Sequence, residues 1–405
     1  MNSRQRVLTT LRHQEPDRVP IDLGGMRSTG ITAIAYNLLK VYLGMNGQPA
    51  CVFDIMQQLA EPEQAILQRF GVDVIALNRV ELDWGIHNWN WKPWTLPDGS
   101  PALVSTEFVP LRDEDDNWLV VDEKGTELAR MPAGSYYFDS VHAPLAKAET
   151  VEEIEAYEPS VISNEELDFL RRRARNLHET TDYAIMGGFG GNILERGQAL
   201  RGWGTFMLDL ALCPQLAQAL MTRLADAWLV DLARYLEAVG EYIHIIQMGD
   251  DLGTQQGPQL SPGMYRRLIW PHHRRIYQYV KAHTDLAVFL HSCGSIYDLI
   301  PDLIAAGVDI LNPVQTSASK MDPATLKREF GAQLVFWGGG CDTQHVLPRA
   351  RPEQVREHVR ERIRIFAPGG GFVFTPVHNI QPDVPPENIV AMFDAAREFG
   401  IYPIR

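Results

Sequence analysis

The sequence predicts an α/β protein whose fold is a (β/α)8 TIM barrel with a β-rich insertion after the second strand. Eight short apolar runs recur along the 405 residues, and a helical pattern of apolar residues follows almost every one. Strands that alternate with helices imply a parallel sheet, and eight such units are the number that closes a barrel. The alternative is an open doubly wound sheet, but the first βα turn has no Gly-x-Gly-x-x-Gly to support a dinucleotide site.

The eight candidate strands end at or beside a glycine or a polar residue. They are predicted over residues 21–25, 72–78, 183–188, 242–247, 287–290, 308–312, 334–337 and 371–375. The helices are predicted over residues 4–12, 30–43, 55–70, 163–178, 199–239 (as two helices split near Cys213), 262–283, 296–306, 323–330, 352–366 and 386–399.

The segment 85–145 interrupts this alternation. It is rich in Trp, Pro, Gly and Asp, and its stretch 118–125 predicts a β-hairpin that turns at residues 123–125. We therefore expect one barrel domain that spans residues 1–405, with the β-rich insertion 85–145 inside it.

Composition excludes several classes of partner. The net charge is −14, whereas nucleic acids and anionic membrane surfaces require basic patches. No apolar run reaches the roughly 20 residues of a membrane span, and the N-terminus lacks the apolar stretch of a signal peptide. The 4 cysteines are too few for a disulfide framework, so a reducing cytoplasm is the expected location.

Polar side chains concentrate where the predicted strands end. In barrels of this type the chemistry lies on the loops that follow the strands, so these residues are the candidates for a site. The set is Asp22, Asn78, Asp250, Asp251, His291, Cys293, Asn312, Gln315, Cys341, Asp342 and His378.

Three of these residues suggest a zinc site. His291 and Cys293 are two residues apart at a strand end and therefore point to the same face, while Cys341 follows the glycines 338–340 after another strand. Zinc prefers thiolate and imidazole ligands, and three protein ligands with one open position are typical of a catalytic zinc. The alternative is that the two cysteines are small buried hydrophobic residues and that the histidine belongs to the core.

Three further residues are candidates for catalysis. Asp250, Asp251 and His378 could orient a substrate or handle its proton, but an aspartate could equally cap the next loop and the histidine could be structural. Glu195 follows the glycine-rich stretch 187–191, where a solvated ion pair with Arg196 is the default expectation.

The sequence resembles the uroporphyrinogen decarboxylase superfamily, and within it the cobalamin-dependent methyltransferases of the methylcobalamin:coenzyme M type. The resemblance rests on the segments 15–20 (EPDRVP), 290–294 (LHSCG) and 377–388 (VHNIQPDVPPEN). It implies a (β/α)8 barrel, zinc bound by His291, Cys293 and Cys341, and a corrinoid as methyl carrier, either free or on a partner protein. It also suggests a homodimer.

Two departures from the decarboxylases bear on the reaction. Those enzymes carry an Arg-Gln-Ala-Gly-Arg segment whose arginines bind substrate carboxylates, and here the stretch 24–30 keeps only Arg27. Asn78 stands where their catalytic aspartate would be. We therefore expect a zinc-dependent methyltransferase that moves a methyl group between a corrinoid and a small-molecule thiol, ether or amine. The alternatives are a tetrapyrrole decarboxylase like uroporphyrinogen decarboxylase and a non-enzymatic corrinoid-handling protein with structural zinc.

Overall fold

The computed structural model describes residues 1–45 and 47–405. Seven parallel strands form its central sheet. Each of them pairs with the strand that precedes it and with the strand that follows it in chain order among the seven. They are β1 (Val74–Leu77), β2 (Ala184–Gly190), β3 (Ile245–Gly249), β4 (Ala287–His291), β5 (Ile310–Asn312), β6 (Val335–Trp337) and β7 (Phe372–Val373).

The predicted first strand closes the barrel as a short irregular segment rather than as a strand over 21–25. Ile21 forms a parallel bridge with Phe374, whose backbone N–H donates to the Pro20 carbonyl at 2.8 Å. On the other side the backbone N–H of Asp73 donates to the Ile21 carbonyl at 2.8 Å. The segment ends early because the Asp22 carboxylate accepts the backbone N–H of Gly25 at 2.8 Å, which turns the chain. The two edges of the sheet are thus joined, and the predicted barrel fold is confirmed.

The segment 15–20 is tied to the base of β1 by buried charges. Asp73 is fully buried and accepts hydrogen bonds from Arg6 at 2.7 Å and from Arg18 at 2.7 Å. Its second oxygen also accepts the backbone N–H of Ile21 at 2.9 Å. Asp17 in turn accepts from Arg6 at 2.7 Å. These contacts hold the closing segment in register with β1.

Side chains that alternate along the strands fill the barrel interior. They form one buried cluster with Val7 of the first helix and with Met26. Where a strand contributes two residues, as β2 and β6 do, they are two positions apart, as a pleated strand requires. The strand residues of the cluster are Val74, Ala184, Met186, Ile245, Phe289, Ile310, Val335, Trp337 and Val373. Because Phe289 points inward, His291 lies on the same face, one layer higher.

Helices surround the sheet and bury their apolar faces against its outer side in a second, larger cluster. Their bounds are α1 Ser3–Leu11, α2 Ala33–Tyr42, α3 Gln64–Phe70, α4 Val151–Glu155, α5 Asn164–Thr180, α6 Leu194–Arg201, α7 Trp203–Leu212, α8 Pro214–Val239, α9 Pro262–Met264, α10 Trp270–His283, α11 Ile300–Ala306, α12 Pro323–Phe330, α13 Pro352–Phe366 and α14 Pro386–Phe399. A π-helical turn, Tyr265–Ile269, connects α9 to α10. Within the described residues, none of these helices is both long and apolar enough to span a membrane.

The predicted helix 55–70 is wrong in its first half. Residues Ala50–Asp54 and Leu59–Ala60 are strands, and the helix begins only at Gln64, after Pro62. The Asp54 carboxylate accepts the backbone N–H of Gln57 at 2.8 Å, which makes a turn between the two strands.

The segment after β1 is β-rich, as predicted. Trp118–Val121 pairs with Glu127–Met131 as the expected hairpin. The other strands here are Glu81–Asp83, Ile86–His87, Trp91–Thr95, Pro101–Ser105, Leu111–Arg112 and Asp139–Ser140. Pro101–Ser105 also pairs with Ala50–Asp54 and so joins a sheet built from earlier residues. The division of the chain into one barrel domain with an insertion over 85–145 stays a prediction.

Candidate metal centre

The loops after β3 and β4 lie so close together that they fix the candidate site. Gly249, the last residue of β3, is in register with His291. A Cβ on Gly253 would lie 2.4 Å from the carbonyl oxygen of Cys293, so no larger residue fits there. Gly294 has a φ of +84°, and a Cβ on this residue would collide with the backbone of Gly253. This packing holds the β4 loop against the β3 loop and sets Cys293 opposite Asp251.

Asp251, His291 and Cys293 form a compact group of potential metal ligands. One ligand atom from each lies within 4.8 Å of the others, and in the described part of the chain this is the one group of three or more such residues. The Cys293 Sγ lies 3.4 Å from His291 Nε2, which lies 3.6 Å from Asp251 Oδ1. The backbone N–H of Cys293 donates to Asp251 Oδ1 at 2.7 Å. Sulfur, imidazole nitrogen and carboxylate oxygen are all ligand types that zinc accepts.

The hydrogen bonds of Asn312 determine which nitrogen of His291 is available to a metal. The Asn312 side-chain amide donates to the Trp337 carbonyl at 2.7 Å, so its Oδ1 must face the other way. That oxygen accepts from Ser28 at 2.8 Å and lies 2.6 Å from His291 Nδ1. Since Oδ1 can only accept, Nδ1 carries the proton. The Nε2 lone pair is therefore free and points towards Cys293 and Asp251, as in metal sites whose histidine is held by an outer partner.

Cys341 is not part of this group. Its side chain is fully buried, and its sulfur lies 3.9 Å from the carbonyl oxygen of Asp342. Burial raises the pKa of its thiol, and the Asp342 carboxylate adds to this effect. The structure thus brings together His291 and Cys293 but not Cys341, whose role as third ligand stays a prediction.

His378 lies beside the group. Its ring centroid is 6.4 Å from that of His291, and its Nδ1 lies 3.1 Å from Asn379 Oδ1. Burial raises the pKa of the Cys293 thiol. His378 thus lies next to the ring of His291, one of the three residues of the group.

The two neighbouring aspartates differ in what they contact. Asp250 is fully buried, and its oxygens accept the backbone N–H groups of Ile193, Leu194 and Glu195 at 2.8–3.1 Å. It also lies 2.9 Å from His273 Nε2. Asp250 therefore caps the N-terminus of α6, an earlier helix, and not the next loop, whereas Asp251 faces the metal-ligand group.

Glu195 lies nearer the group than the sequence indicated. Its Oε2 accepts the backbone N–H of Asp251 at 2.9 Å and the side-chain amide of Asn192 at 2.5 Å. Burial raises its pKa to about 7, with further contributions from the Asp251 and Asp250 carboxylates. The sequence offered one weak signal for this residue, its position in the first turn after a glycine-rich strand end.

Glu195→Gln is expected to reduce the pH dependence of folding stability. The pKa of Glu195 is higher in the folded than in the unfolded chain, so the stability that its protonated form provides is complete below about pH 4.5 and is lost as pH rises through about 7. A shift of the pKa from 4.5 to about 7 corresponds to about 3 kcal/mol of folding stability. Glutamine does not ionise, so the variant would not lose this stability as the pH rises. Urea denaturation of the zinc-free protein at pH 5 and pH 8 measures this difference. Glu241→Gln, at an exposed position, is the control and should behave as the parent does.

The comparisons with known proteins identify the family. Residues 131–399, two thirds of the chain, match the family described as Uroporphyrinogen decarboxylase (URO-D). The chain belongs to the URO-D family. Among its relatives, the uroporphyrinogen decarboxylase of Trichormus variabilis is 24% identical over 269 residues, which are 64% of this chain and 71% of that protein. The one from Nostoc punctiforme is 24% identical over 273 residues, 65% of this chain and 72% of that protein.

A solved structure supports the fold. A methyltransferase from Methanosarcina mazei superposes with a TM-score of 0.56 and 18% identity, covering 98% of this chain and 99% of that one. At this identity the likeness shows that the two chains share a fold, and the barrel assignment is independently supported.

Arg27 is the one arginine of the stretch 24–30, and its surroundings decide whether it could bind a substrate carboxylate. Its guanidinium forms ion pairs with Asp54, which is fully buried, and with Asp83. These two carboxylates outweigh the cost of its burial and raise its pKa. Arg27 is therefore already neutralised by the protein and has little positive charge to offer a substrate carboxylate.

Proposed function

We propose that this member of the URO-D family is a zinc-dependent methyltransferase. It moves a methyl group between a corrinoid, free or carried on a partner protein, and a small-molecule thiol, ether or amine. The observation that supports this most directly is the group of Asp251, His291 and Cys293 at the C-terminal ends of barrel strands, where enzymes of this fold carry their chemistry. His291, Cys293 and Cys341 are the proposed zinc ligands.

In the proposed mechanism each residue has a separate task. When bound, zinc would keep a substrate thiol deprotonated or polarise the oxygen of an ether. His378 would accept the proton that a thiol substrate loses, or return one to the heteroatom that a methyl donor leaves behind. Asp251 orients the Cys293 backbone at 2.7 Å, and Asp250 fixes the start of α6, from which Glu195 reaches the Asp251 backbone.

Two experiments test the proposal. Metal analysis of protein purified without chelators should find about one zinc per chain. Absorbance spectroscopy should then detect demethylation of methylcobalamin with one member of a panel of thiols and amines, or methylation of cob(I)alamin by one of a panel of methyl ethers and methylamines. No spectral change in either direction would refute the proposed reaction.

Decarboxylation of a tetrapyrrole is the second candidate, because the relatives are named as uroporphyrinogen decarboxylases. The ion pairs of Arg27 with Asp54 and Asp83 argue against it, since a polycarboxylate substrate would need free cations. Release of CO2 from uroporphyrinogen by zinc-free protein would favour the decarboxylase. A non-enzymatic corrinoid-handling protein with structural zinc would instead unfold when zinc is removed.

Asn312→Leu is expected to weaken zinc binding by about 10–100-fold, the usual effect of losing the outer partner of a metal-ligating histidine. The leucine cannot accept a hydrogen bond from His291 Nδ1, so the ring is free to rotate or to change tautomer. Competition with a zinc-binding dye measures the affinity. Ser28→Ala removes another donor to the same oxygen but leaves the His291 contact, so its affinity should stay close to that of the parent.

The remaining parts of the proposal concern location and partners. A cytoplasmic location follows from the small number of cysteines, which a reducing compartment would keep as thiols. A corrinoid protein as partner and a homodimer are carried over from the resemblance.

A further inference from the structure

A cavity of about 200 Å³ opens next to the candidate metal centre. It is lined by three loops, the ones that follow β5, β6 and β7. Gln315 comes from the first loop, Thr343 and Gln344 from the second, and Val377, His378, Asn379 and Gln381 from the third.

Residues that line the cavity contact the segments that carry the predicted zinc ligands. The side-chain oxygen of Gln315 accepts the backbone N–H of Gly294, the residue after Cys293, at 2.8 Å. The backbone N–H of Val377 donates to the Cys341 carbonyl at 2.9 Å. His378, which lines the cavity, has its ring centroid 6.4 Å from that of His291. A molecule in the cavity would therefore have one end next to the proposed metal.

The lining is polar but carries almost no charge. Four carboxamide side chains and one hydroxyl face the cavity, and among its lining residues there is no carboxylate, lysine or arginine, only His378 as a titratable group. The acidic residues Asp251, Glu195 and Asp342 are not part of the lining, although the Asp342 carboxylate accepts the backbone N–H of Gln344 at 2.8 Å. An ion in this cavity would lose solvation without gaining a counter-charge, which is unfavourable.

Some of these polar groups are already satisfied by the protein. Asn379 accepts from Tyr137 at 3.2 Å and from Gln381, and its amide donates to Gln57 at 2.6 Å. Gln315 uses both ends of its amide, one on Gly294 and the other on Gln255 at 2.9 Å.

Besides His378, three polar groups of the lining are available to a ligand. Within the described chain, the side-chain amide nitrogen of Gln344, the side-chain oxygen of Gln381 and the hydroxyl of Thr343 make no hydrogen bond to protein. The lining therefore offers one free donor, one free acceptor and one group that can be either.

We propose that this cavity binds the methylated or methyl-accepting small molecule, and that this substrate is an uncharged polar molecule about the size of one substituted ring. It would accept a hydrogen bond from Gln344 and donate one to Gln381. The size follows from the volume, since a protein cavity of about 150 Å³ holds a benzene molecule. A corrin ring is much larger, so it would have to bind elsewhere on the barrel mouth. The identification of the ligand as the substrate rests on the proposed function, whereas its charge and size rest on the lining alone.

Calorimetric titration of the full-length protein with three probes of similar size tests the proposal. The probes are 2-methoxyphenol, which is neutral, 2-methoxybenzoate, an anion, and phenyltrimethylammonium, a cation. We expect the neutral probe to bind at least about 10-fold more tightly than either ion, as loss of hydrogen-bond partners or an unpaired buried charge each costs a factor of this order. Equal or tighter binding of an ion, or no binding of 2-methoxyphenol, would overturn the proposal.

Two variants locate the binding in this cavity. Gln344→Leu should weaken 2-methoxyphenol about 10-fold, and Gln344→Lys should make 2-methoxybenzoate the preferred probe by supplying its counter-charge. Gln333→Leu is the matched control, because Gln333 is exposed and precedes β6, at the opposite end of the barrel. Unchanged affinities in the Gln344 variants would mean that the probe binds elsewhere and would also overturn the proposal.

Zinc analysis of the same samples separates this proposal from the proposed function. If zinc is present and the neutral probe does not bind, the cavity proposal fails while methyl transfer stands. If the neutral probe binds in the way described and zinc is absent, the zinc-dependent reaction fails while the cavity proposal stands.

Discussion

Cys293→Ser is expected to reduce bound zinc from about one per chain to nearly none, and His291→Ala should do the same. Each change removes one of the three proposed ligands His291, Cys293 and Cys341, and the remaining two are too few to hold the ion. The double variant Cys293→Ser/Cys341→Ser should bind no zinc. Metal analysis of the purified variants, together with the methylcobalamin assay, measures both consequences.

Two controls make this result interpretable. Cys213→Ser changes a cysteine outside the group and should keep about one zinc per chain. Circular dichroism of Cys293→Ser should still report a folded barrel if the zinc is catalytic, whereas unfolding would favour a structural zinc. Full zinc content in the double variant would refute the ligand assignment.

The barrel was predictable because its signals are local. Each strand from β1 to β7 is a short apolar run that ends beside glycine or a polar residue, and the period of the interior residues follows from the pleat of a single strand. The pairing of His291 with Cys293 is predictable for the same reason, since residues two apart on a strand face the same side. The ion pairs that tie residues 15–20 to Asp73 link distant parts of the chain, and no local pattern indicates them.

The contacts around the site depended on long-range geometry. Glu195 reaches the Asp251 backbone across 56 residues, and Asn312 reaches His291 across 21. Asp250 and Asp251 look alike in the sequence, yet the turn of the β3 loop sends one to the start of α6 and the other to the metal-ligand group. A pattern of residue types cannot make that distinction, because it depends on the φ and ψ angles of the loop.

The errors in the predicted fold also arise from contacts that a pattern of residue types does not show. Residues 50–54 and 59–60 form strands because they pair with each other and with partners at 31–32 and 101–105, which a local apolar pattern does not reveal. The first predicted strand is reduced to a bridge at Ile21 because the Asp22 carboxylate bonds to the backbone three residues later. In both places a specific hydrogen bond or partner overrode the local preference.

Asp73→Asn is expected to destabilise the protein by about 3–5 kcal/mol, the usual result of breaking a buried ion pair from one side. The fully buried Asp73 carboxylate receives both Arg6 and Arg18 at 2.7 Å. Its removal would leave Arg18 without its counter-charge and Arg6 with Asp17 alone. The single amide oxygen of asparagine could not accept all the hydrogen bonds of the carboxylate, among them that of the Ile21 backbone, which closes the barrel. The midpoint of urea denaturation measures the effect.

The control for Asp73→Asn is an ion pair of similar length at the surface. Asp226 pairs with Arg275 at 2.6 Å, and their side chains are 57% and 45% exposed. Solvent and salt screen such a pair, so Asp226→Asn should leave the denaturation midpoint nearly unchanged. If the two variants shifted the midpoint equally, the buried charges would not be what fixes the closing segment. A large shift for Asp73→Asn alone would mean that the segment 15–20, on which the family resemblance partly rests, contributes to closing the barrel.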